Sequence, residues 1–454
     1  MLLNPIFSIL SPRFKTHSYQ LVMRFFQTLF FTCFGCLVLA SCATSQPVSS
    51  ARWGDSVRDS PVFKQNHVGF ALYDLEKQST VAEYQSDRYF TPASNTKLYT
   101  FYAGLCVLGD SVPALRYATH GDSLIFWGTG DPSLLHPDMP PNAAFSLLSR
   151  SQKKLFFYPN NYTGQRFGAG WSWGDYADYY QAELSTMPVY GNVVRFTNKS
   201  VSPRLFRDSL LTAPWREEFM LLRDEHRNRF YSQGWPQKAF VEDVPFRVSP
   251  VLTAQLLADT LHKPVAILAK LPAYVLPKTQ FGLATDTLYR RMLQESDNML
   301  AEQIMLLCAA QLDSNHAGFD TKKGIQYVKQ QFLSDLPDEP IWVDGSGLSR
   351  YNLFTPRSTV KLLQKIYAKM PQEKLFNTLA IGGKAGTIRG QYKGEPFIFA
   401  KSGSLANVYC LSGYLRTKTN KILIFSLMNG NFTRPTSEIR REVERILTEI
   451  RDNY

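Results

Sequence analysis

Ser94 and Lys97 place a hydroxyl and an amine three residues apart in the stretch Thr91-Pro92-Ala93-Ser94-Asn95-Thr96-Lys97. That stretch closes an extended segment containing Tyr89 and Phe90. It opens an apolar one, Leu98 to Leu108, in which Leu98, Phe101, Tyr102 and Leu105 recur at helical intervals. The pair therefore shares one face at the start of a helix. A serine hydroxyl is a poor nucleophile until a base takes its proton. A lysine serves as that base only if burial or a nearby cation lowers its pKa. The helix N-terminus adds a backbone N–H positioned for a developing oxyanion.

The same spacing occurs at Ser151/Lys154 and Ser358/Lys361, and alone it describes a surface serine beside a surface lysine. Two segments later in the chain distinguish Ser94. Ser296-Asp297-Asn298 is the one Ser-x-Asn in the chain, and Lys401-Ser402-Gly403 the one Lys-[Ser/Thr]-Gly. This ordered triple is the signature of penicillin-binding proteins and class A β-lactamases. Ser151 leads into a strand-like run, Leu155 to Tyr158, and Ser358 falls after the Ser-x-Asn element, which is the wrong order.

The elements that must position these groups alternate in type. His67 to Asp74 and Thr80 to Tyr84 read as a hairpin, followed by the helix near Ser94. From about Ala118 to Pro264 the chain becomes turn-rich, with short strands and the aromatic stretch Gly168 to Tyr176, and reads as a mostly β insert. Those aromatics read as packing of a small domain. Helical spacing returns at Leu288 to Leu293 and again at Met299 to Leu307, so Ser296 lies at a break between helices. Asp344 to Asn352 is a tight loop and Pro356 to Tyr367 a helix. Lys401 starts a strand expected to run to about Leu415 and to return over Lys421 to Met428. A charged helix, about Ser437 to Arg451, closes the chain. Strands at both ends with helices between predict an α+β fold, an antiparallel sheet with packed helices.

With 454 residues, 44% hydrophobic and 19% charged, the chain is long enough for two or three globular domains. Its formal charge of +12 suits an anionic envelope surface or polymer as well as a solvated basic surface, and no nucleic-acid motif is present. The N-terminus reads as a targeting segment: Arg24 precedes the apolar run Phe25 to Ala40, which ends in Leu39-Ala40-Ser41-Cys42. That ending resembles the bacterial lipobox, which implies lipidation of Cys42. Met23-Arg24 would make an ordinary signal-peptide start, and Ala43 to Asp59 reads as a tether. Of six cysteines, Cys106, Cys308 and Cys410 remain in the body and read as buried free thiols, with one disulfide left open. No Cys/His spacing suggests a metal, and no cofactor is expected.

Longer segments extend the match. Gly128 to Leu134, Gly170-Trp171-Ser172-Trp173 with Tyr180 to Asn192, Asp344 to Asn352, Ala385 to Ile388 and Lys401 to Tyr414 resemble the D-alanyl-D-alanine carboxypeptidase/endopeptidase family, peptidase S13, the class C low-molecular-mass penicillin-binding proteins. The resemblance spans about Asn66 to Gly430. It implies a penicillin-binding-protein/β-lactamase-like transpeptidase domain, residues 60–118 and 264–454, interrupted by an insert at 119–263. Peptidoglycan stem peptides are then the substrate, β-lactams are covalent inhibitors, and the location is the extracytoplasmic envelope with a lipid anchor to a membrane.

The resemblance also implies roles. Ser94 attacks the D-Ala–D-Ala carbonyl, Lys97 is its base, kept neutral by burial and by Lys401, and Ser296 relays the proton to the leaving amine. Asn298 holds the substrate amide, Lys401-Ser402-Gly403 receives the terminal carboxylate, and the N–H groups of Ser94 and Ser404 form the oxyanion hole. Ser402 stands where threonine is usual, and Lys384-Ala385-Gly386 imitates the motif without a hydroxyl. Two other functions share these motifs. A serine β-lactamase needs a positioned water, for which Glu373 to Asn377 is a faint candidate, and a catalytically silent peptidoglycan-binding lipoprotein needs none of the chemistry.

Overall fold

The computed structural model describes residues 51–198, 200–213, 221–233, 238–273, 275–313 and 318–454. The expected signal segment and Cys42 lie outside the described residues.

Among these, a six-stranded antiparallel sheet runs in the order β14 (Ala380–Ile381), β15 (Ile398–Leu405), β16 (Val408–Arg416), β17 (Ile422–Gly430), β1 (His67–Asp74), β2 (Ser79–Tyr84). Both faces are covered, and the side-chain alternation of the strands sorts residues between them. In β16, Val408, Cys410 and Tyr414 enter one core, while Tyr409, Leu411 and Leu415 enter the other. The first core holds α2 (Thr96–Val107), α5 (Thr285–Gln294), α6 (Asn298–Leu312), α7 (Thr321–Phe332), α8 (Pro356–Lys369) and α9 (Gln372–Thr378). The second holds α1 (Ala51–Arg58) and α10 (Thr436–Asn453). Both-sided burial explains the near-continuous apolar run of β17, Ile-Leu-Ile-Phe-Ser-Leu-Met.

Helix α2 is the centre of the first core. Leu98, Tyr99, Phe101 and Ala103 are fully buried, so it is apolar on nearly every side rather than amphipathic.

Three expectations change. The tether was expected to reach Asp59, but Ala51–Arg58 is helical, because Trp53 and Val57, four apart, bury against β1 and β2. The single strand expected from Lys401 to Leu415 is a tight hairpin of β15 and β16. Asn407 takes φ 62° at its turn, a conformation asparagine tolerates. The inserted region was expected between residues 118 and 264. Its five-stranded sheet, in the order β12 (Val265–Ile267), β5 (Lys154–Phe157), β4 (Ser123–Gly128), β3 (Ser111–His120), β13 (Lys278–Ala284), begins at Ser111 and ends at Ala284. Two helices, α3 (Ala143–Arg150) and α4 (Pro250–Leu261), and two three-stranded sheets complete the region. One joins β11 (Val241–Pro245), β6 (Val193–Thr197) and β7 (Val201–Ser202), and the other β8 (Leu210–Thr212), β10 (Phe230–Ser232) and β9 (Leu221–Arg223). Cys106, Cys308 and Cys410 are free thiols.

Candidate active site

The turn Ala93–Asn95 is a single 3-10 turn leading into α2, and Ala93 is held at φ 47°, a left-handed conformation unusual for alanine. It is wedged from two sides. Gly347, at φ 86°, lies so close to the Ala93 carbonyl that a β-carbon could not fit. Gly403 presses β15 against the same turn, where a β-carbon would stand 2.7 Å from Pro92 O and 2.9 Å from Ser94 N. The glycine of the Lys401-Ser402-Gly403 motif is thus a close-approach residue.

Lys97 is wholly buried, and its Nζ has three neighbours: Ser94 Oγ at 2.9 Å, Asn298 Oδ1 at 2.6 Å and the Ser346 carbonyl at 2.7 Å. Two of these are obligate acceptors. Asn298 Nδ2 donates to Tyr180 O at 3.0 Å, which turns the amide oxygen toward Lys97. A neutral amine has two hydrogens and one lone pair. With both hydrogens given to Asn298 and Ser346, the lone pair faces the Ser94 hydroxyl. Burial brings the Lys97 pKa down to about 8, against the opposing pull of Asp344, Asp297 and Glu302.

Lys401, equally buried, lies on the helix-covered face of β15. Its Nζ donates to Ser296 Oγ at 2.9 Å and to Ser402 O at 2.6 Å. Burial, then repulsion from Lys97, holds its pKa well below the ordinary lysine value. The repulsion expected to neutralise Lys97 therefore falls on Lys401, while Lys97 owes its shift to burial. Ser296, at φ 61°, sits between α5 and α6. Ser402 Oγ lies 2.7 Å from Thr387 Oγ1. Ser404 is exposed at the mouth of the site.

Ser94, Ser296, Thr387, Ser402 and Ser404 line one cavity of about 500 Å³. A larger cleft of about 1250 Å³ opens from Ser94, Ser296 and Asn298 toward Tyr180 and Leu405. Every site residue expected within the described part of the chain thus meets at one place. The competing pairs do not: Lys154 is exposed and pairs with Asp122 at 3.7 Å, and Ser358 Oγ donates to Asp338 O at 3.1 Å. Lys384 is also exposed.

Several contributors escaped the sequence reading. Asp344 accepts from Gly347 N (2.8 Å), Ser349 N (2.7 Å), Asn352 Nδ2 (2.7 Å) and Trp171 Nε1 (2.9 Å), so it organises the loop that presents Ser346 to Lys97. The Trp171 bond also ties the inserted region to that loop, beyond the packing role expected for its aromatics. Glu302, buried, accepts from Ser346 N at 2.7 Å, and burial together with the nearby Asp344 pushes its pKa up to about 8. A lone glutamate inside the apolar run Met299 to Leu307 was the available signal.

The profile of the D-Ala-D-Ala carboxypeptidase 3 (S13) family matches residues 51–204 and 284–450. The chain belongs to that family. It is a serine-type D-Ala-D-Ala peptidase, a hydrolase, with the α+β penicillin-binding-protein fold. The D-alanyl-D-alanine carboxypeptidase DacB of Haemophilus influenzae is 23% identical over 430 residues, covering 81% of this chain and 86% of its own. The penicillin-sensitive carboxypeptidase A of Dictyostelium discoideum is 28% identical over 134 residues, 27% of this chain and 26% of that protein. Among solved structures, penicillin binding protein 4 of H. influenzae superposes with a TM-score of 0.70 at 20% identity, covering 88% of this S13 chain and 99% of the other. Among the described residues no cluster of His, Cys, Asp or Glu could hold a metal ion.

Proposed function

We propose that this S13 peptidase hydrolyses D-Ala–D-Ala ends of peptidoglycan stem peptides through an ester on Ser94. The observation that carries the assignment of roles is the hydrogen-bond arrangement at Lys97, whose two committed acceptors leave its lone pair for the Ser94 proton. Ser94 Oγ adds to the carbonyl, and the N–H groups of Ser94 and Ser404 receive the oxyanion. Collapse breaks the C–N bond. The proton held at Lys97 reaches the departing amine through Ser296, which Lys401 orients. Water then cleaves the ester by the reverse relay.

The outer edge of β15 is paired by β14 only at Phe399 and Ala400, which leaves residues 401–405 open to an extended peptide. Lys401, Ser402 and Thr387 then meet the carboxylate of the departing residue by charge-assisted bonds. Asn298 already engages Lys97 and Tyr180, so its contact with a substrate amide requires one of those bonds to be shared. The expected result is release of D-alanine from a D-Ala–D-Ala pentapeptide, together with a β-lactam adduct that persists on the purified protein. Fast β-lactam turnover would favour the β-lactamase reading. Glu373 gives that reading little support, since it lies in the first turn of α9 and lines a separate cavity with Lys384 and Phe376.

The work of the protein lies in the cell envelope. We infer further that Cys42 is lipidated and holds the protein on an envelope membrane facing outward, and that residues 111–284 form a unit inserted into the peptidase domain. The lipobox-like Leu39-Ala40-Ser41-Cys42 supports the anchor. No helix among the described residues is long and apolar enough to cross a membrane. Mass spectrometry of the mature N-terminus checks this: a diacylglyceryl adduct on Cys42 is expected, and an unmodified Cys42 overturns it.

A further inference from the structure

Asp297 stands between the two motif residues that meet the buried lysines. Ser296 Oγ accepts from Lys401 Nζ at 2.9 Å, and Asn298 Oδ1 accepts from Lys97 Nζ at 2.6 Å. Both bonds must change as protons move. Those of Asp297 need not. Its Oδ1 caps α6 by accepting from Leu300 N at 3.0 Å, and its Oδ2 accepts from Arg291 Nε at 3.1 Å. A carboxylate bound through both oxygens has a fixed orientation. The backbone here needs such a restraint. Ser296 is at φ 61°, a left-handed conformation that a residue other than glycine keeps only where its surroundings impose it.

Arg291 lies in α5, before the break, and reaches a second carboxylate. Its Nη2 donates to Asp138 Oδ2 at 2.9 Å. Asp138 also accepts from Arg195 Nη1 at 2.6 Å and Nη2 at 2.8 Å. Arg195, on β6, donates in turn to Asp243 on β11, through Nε at 2.8 Å and Nη2 at 2.7 Å. Charges alternate along the series Asp297, Arg291, Asp138, Arg195, Asp243, so each arginine fork lies between two carboxylates. The Arg195 bonds bring the Asp138 pKa down to about 2, which keeps it ionised near neutral pH. Side-chain exposure along the series runs from 17% at Asp297 to 33% at Asp138, and such a network holds its geometry better than an isolated surface pair.

We propose that Arg291, backed by Asp138, is a positioning residue for the proton relay: it holds Asp297, and Asp297 aims Ser296 at the departing nitrogen. The inference rests on the role proposed for Ser296. The far end of the series lies on β6 and β11, so those strands help to align the relay without touching the reacting atoms. When the amide C–N bond breaks, the nitrogen must receive the proton taken from Ser94, because the unprotonated amine anion is too basic to depart. In a thioester with sulfur in place of that nitrogen, the C–S bond breaks instead. The thiolate departs without a proton, and Lys97 returns the one it holds to solvent.

The test compares a D-Ala–D-Ala peptide with its thioester analogue, identical in acyl part and terminal carboxylate. kcat/KM, which ends at formation of the ester on Ser94, is measured for both with the wild-type protein, Ser296→Ala, Arg291→Ala, Arg291→Lys, Asp138→Asn and Arg204→Ala. The readout is the ratio of amide to thioester, in which a misfolded fraction and any contact with the acyl part cancel. In Ser296→Ala the ratio is expected to fall by about 10²–10⁴-fold, the size of a general-acid contribution. In Arg291→Ala it is expected to fall on the order of tenfold, as for a group displaced by less than about 1 Å, with a smaller fall in Arg291→Lys and in Asp138→Asn. Arg204→Ala removes an exposed ion pair with Asp259 elsewhere and should leave the ratio unchanged. A ratio in Arg291→Ala equal to that of the wild type, with Ser296→Ala lowered, overturns the proposal and leaves the relay standing. A ratio unchanged in Ser296→Ala removes the relay, and this inference with it. Failure of the wild-type protein on both substrates overturns the proposed function itself.

Discussion

Ser94→Ala is expected to abolish covalent labelling by a fluorescent penicillin and to lower D-alanine release at least about 10⁴-fold, because serine, base and oxyanion donors act as one unit. Ser151→Ala is the matched control. It has the same spacing to a lysine, but Lys154 points to solvent beside Asp122, and Ser151 Oγ only accepts from Lys153 N at 3.2 Å. Label and activity should therefore be unchanged in that variant. Labelling retained in Ser94→Ala, located by mass spectrometry on another residue, would remove the basis for every role assigned to the site.

The second large effect concerns Lys97. Its replacement by alanine removes the base and should lower kcat/KM by about 10²–10⁴-fold. On the proposed mechanism the same group sets the pH dependence. The proposed base works in its neutral form, and burial brings the Lys97 pKa down to about 8, so kcat/KM should climb with pH up to about 8 and level off above it. Glu302 titrates over the same interval, near 8, and gains its negative charge as pH rises. That charge favours the Lys97 ammonium and so resists its deprotonation, which should broaden the limb beyond a single-site curve. Glu302→Gln removes the charge and should move the limb to lower pH and sharpen it. A limb that stays in place in Glu302→Gln would show that Lys97 does not control it.

Legibility in the sequence tracked the range of the interactions. Ser94 and Lys97 are one turn apart, Ser296 and Asn298 two residues apart, and Lys401 and Ser402 adjacent, so each fits a short motif, and the order of the three motifs singled them out. Helices α2, α5, α6, α8 and α10 and strands β1, β2 and β17 emerged from periodicity, whereas α1 and α7 did not. What organises Lys97 came from far along the chain: the carbonyl of Ser346, the carboxyl of Glu302 beneath it, and Trp171 bonded to Asp344. No short window contains any of these pairs. The β15–β16 turn was legible in principle, since Asn407 adopts φ 62°, but the apolar residues on either side read as one strand. The expected edges of the insert, near residues 118 and 264, take no account of the pairing of β3 with β13, a contact that periodicity cannot register.

That pairing brings Ser111 opposite Ala284, and Thr285 N donates to Asp110 O at 3.0 Å. On the proposed organisation, the chain leaves and rejoins the peptidase domain at this one pairing. To the folding core, everything between is one hairpin loop with its ends already tied. Loop-closure entropy grows only with the logarithm of length, each doubling adding about 0.6 kcal/mol. Changes of length away from Tyr180 and Trp171, whose bonds to Asn298 and Asp344 reach the site, therefore cost little closure entropy.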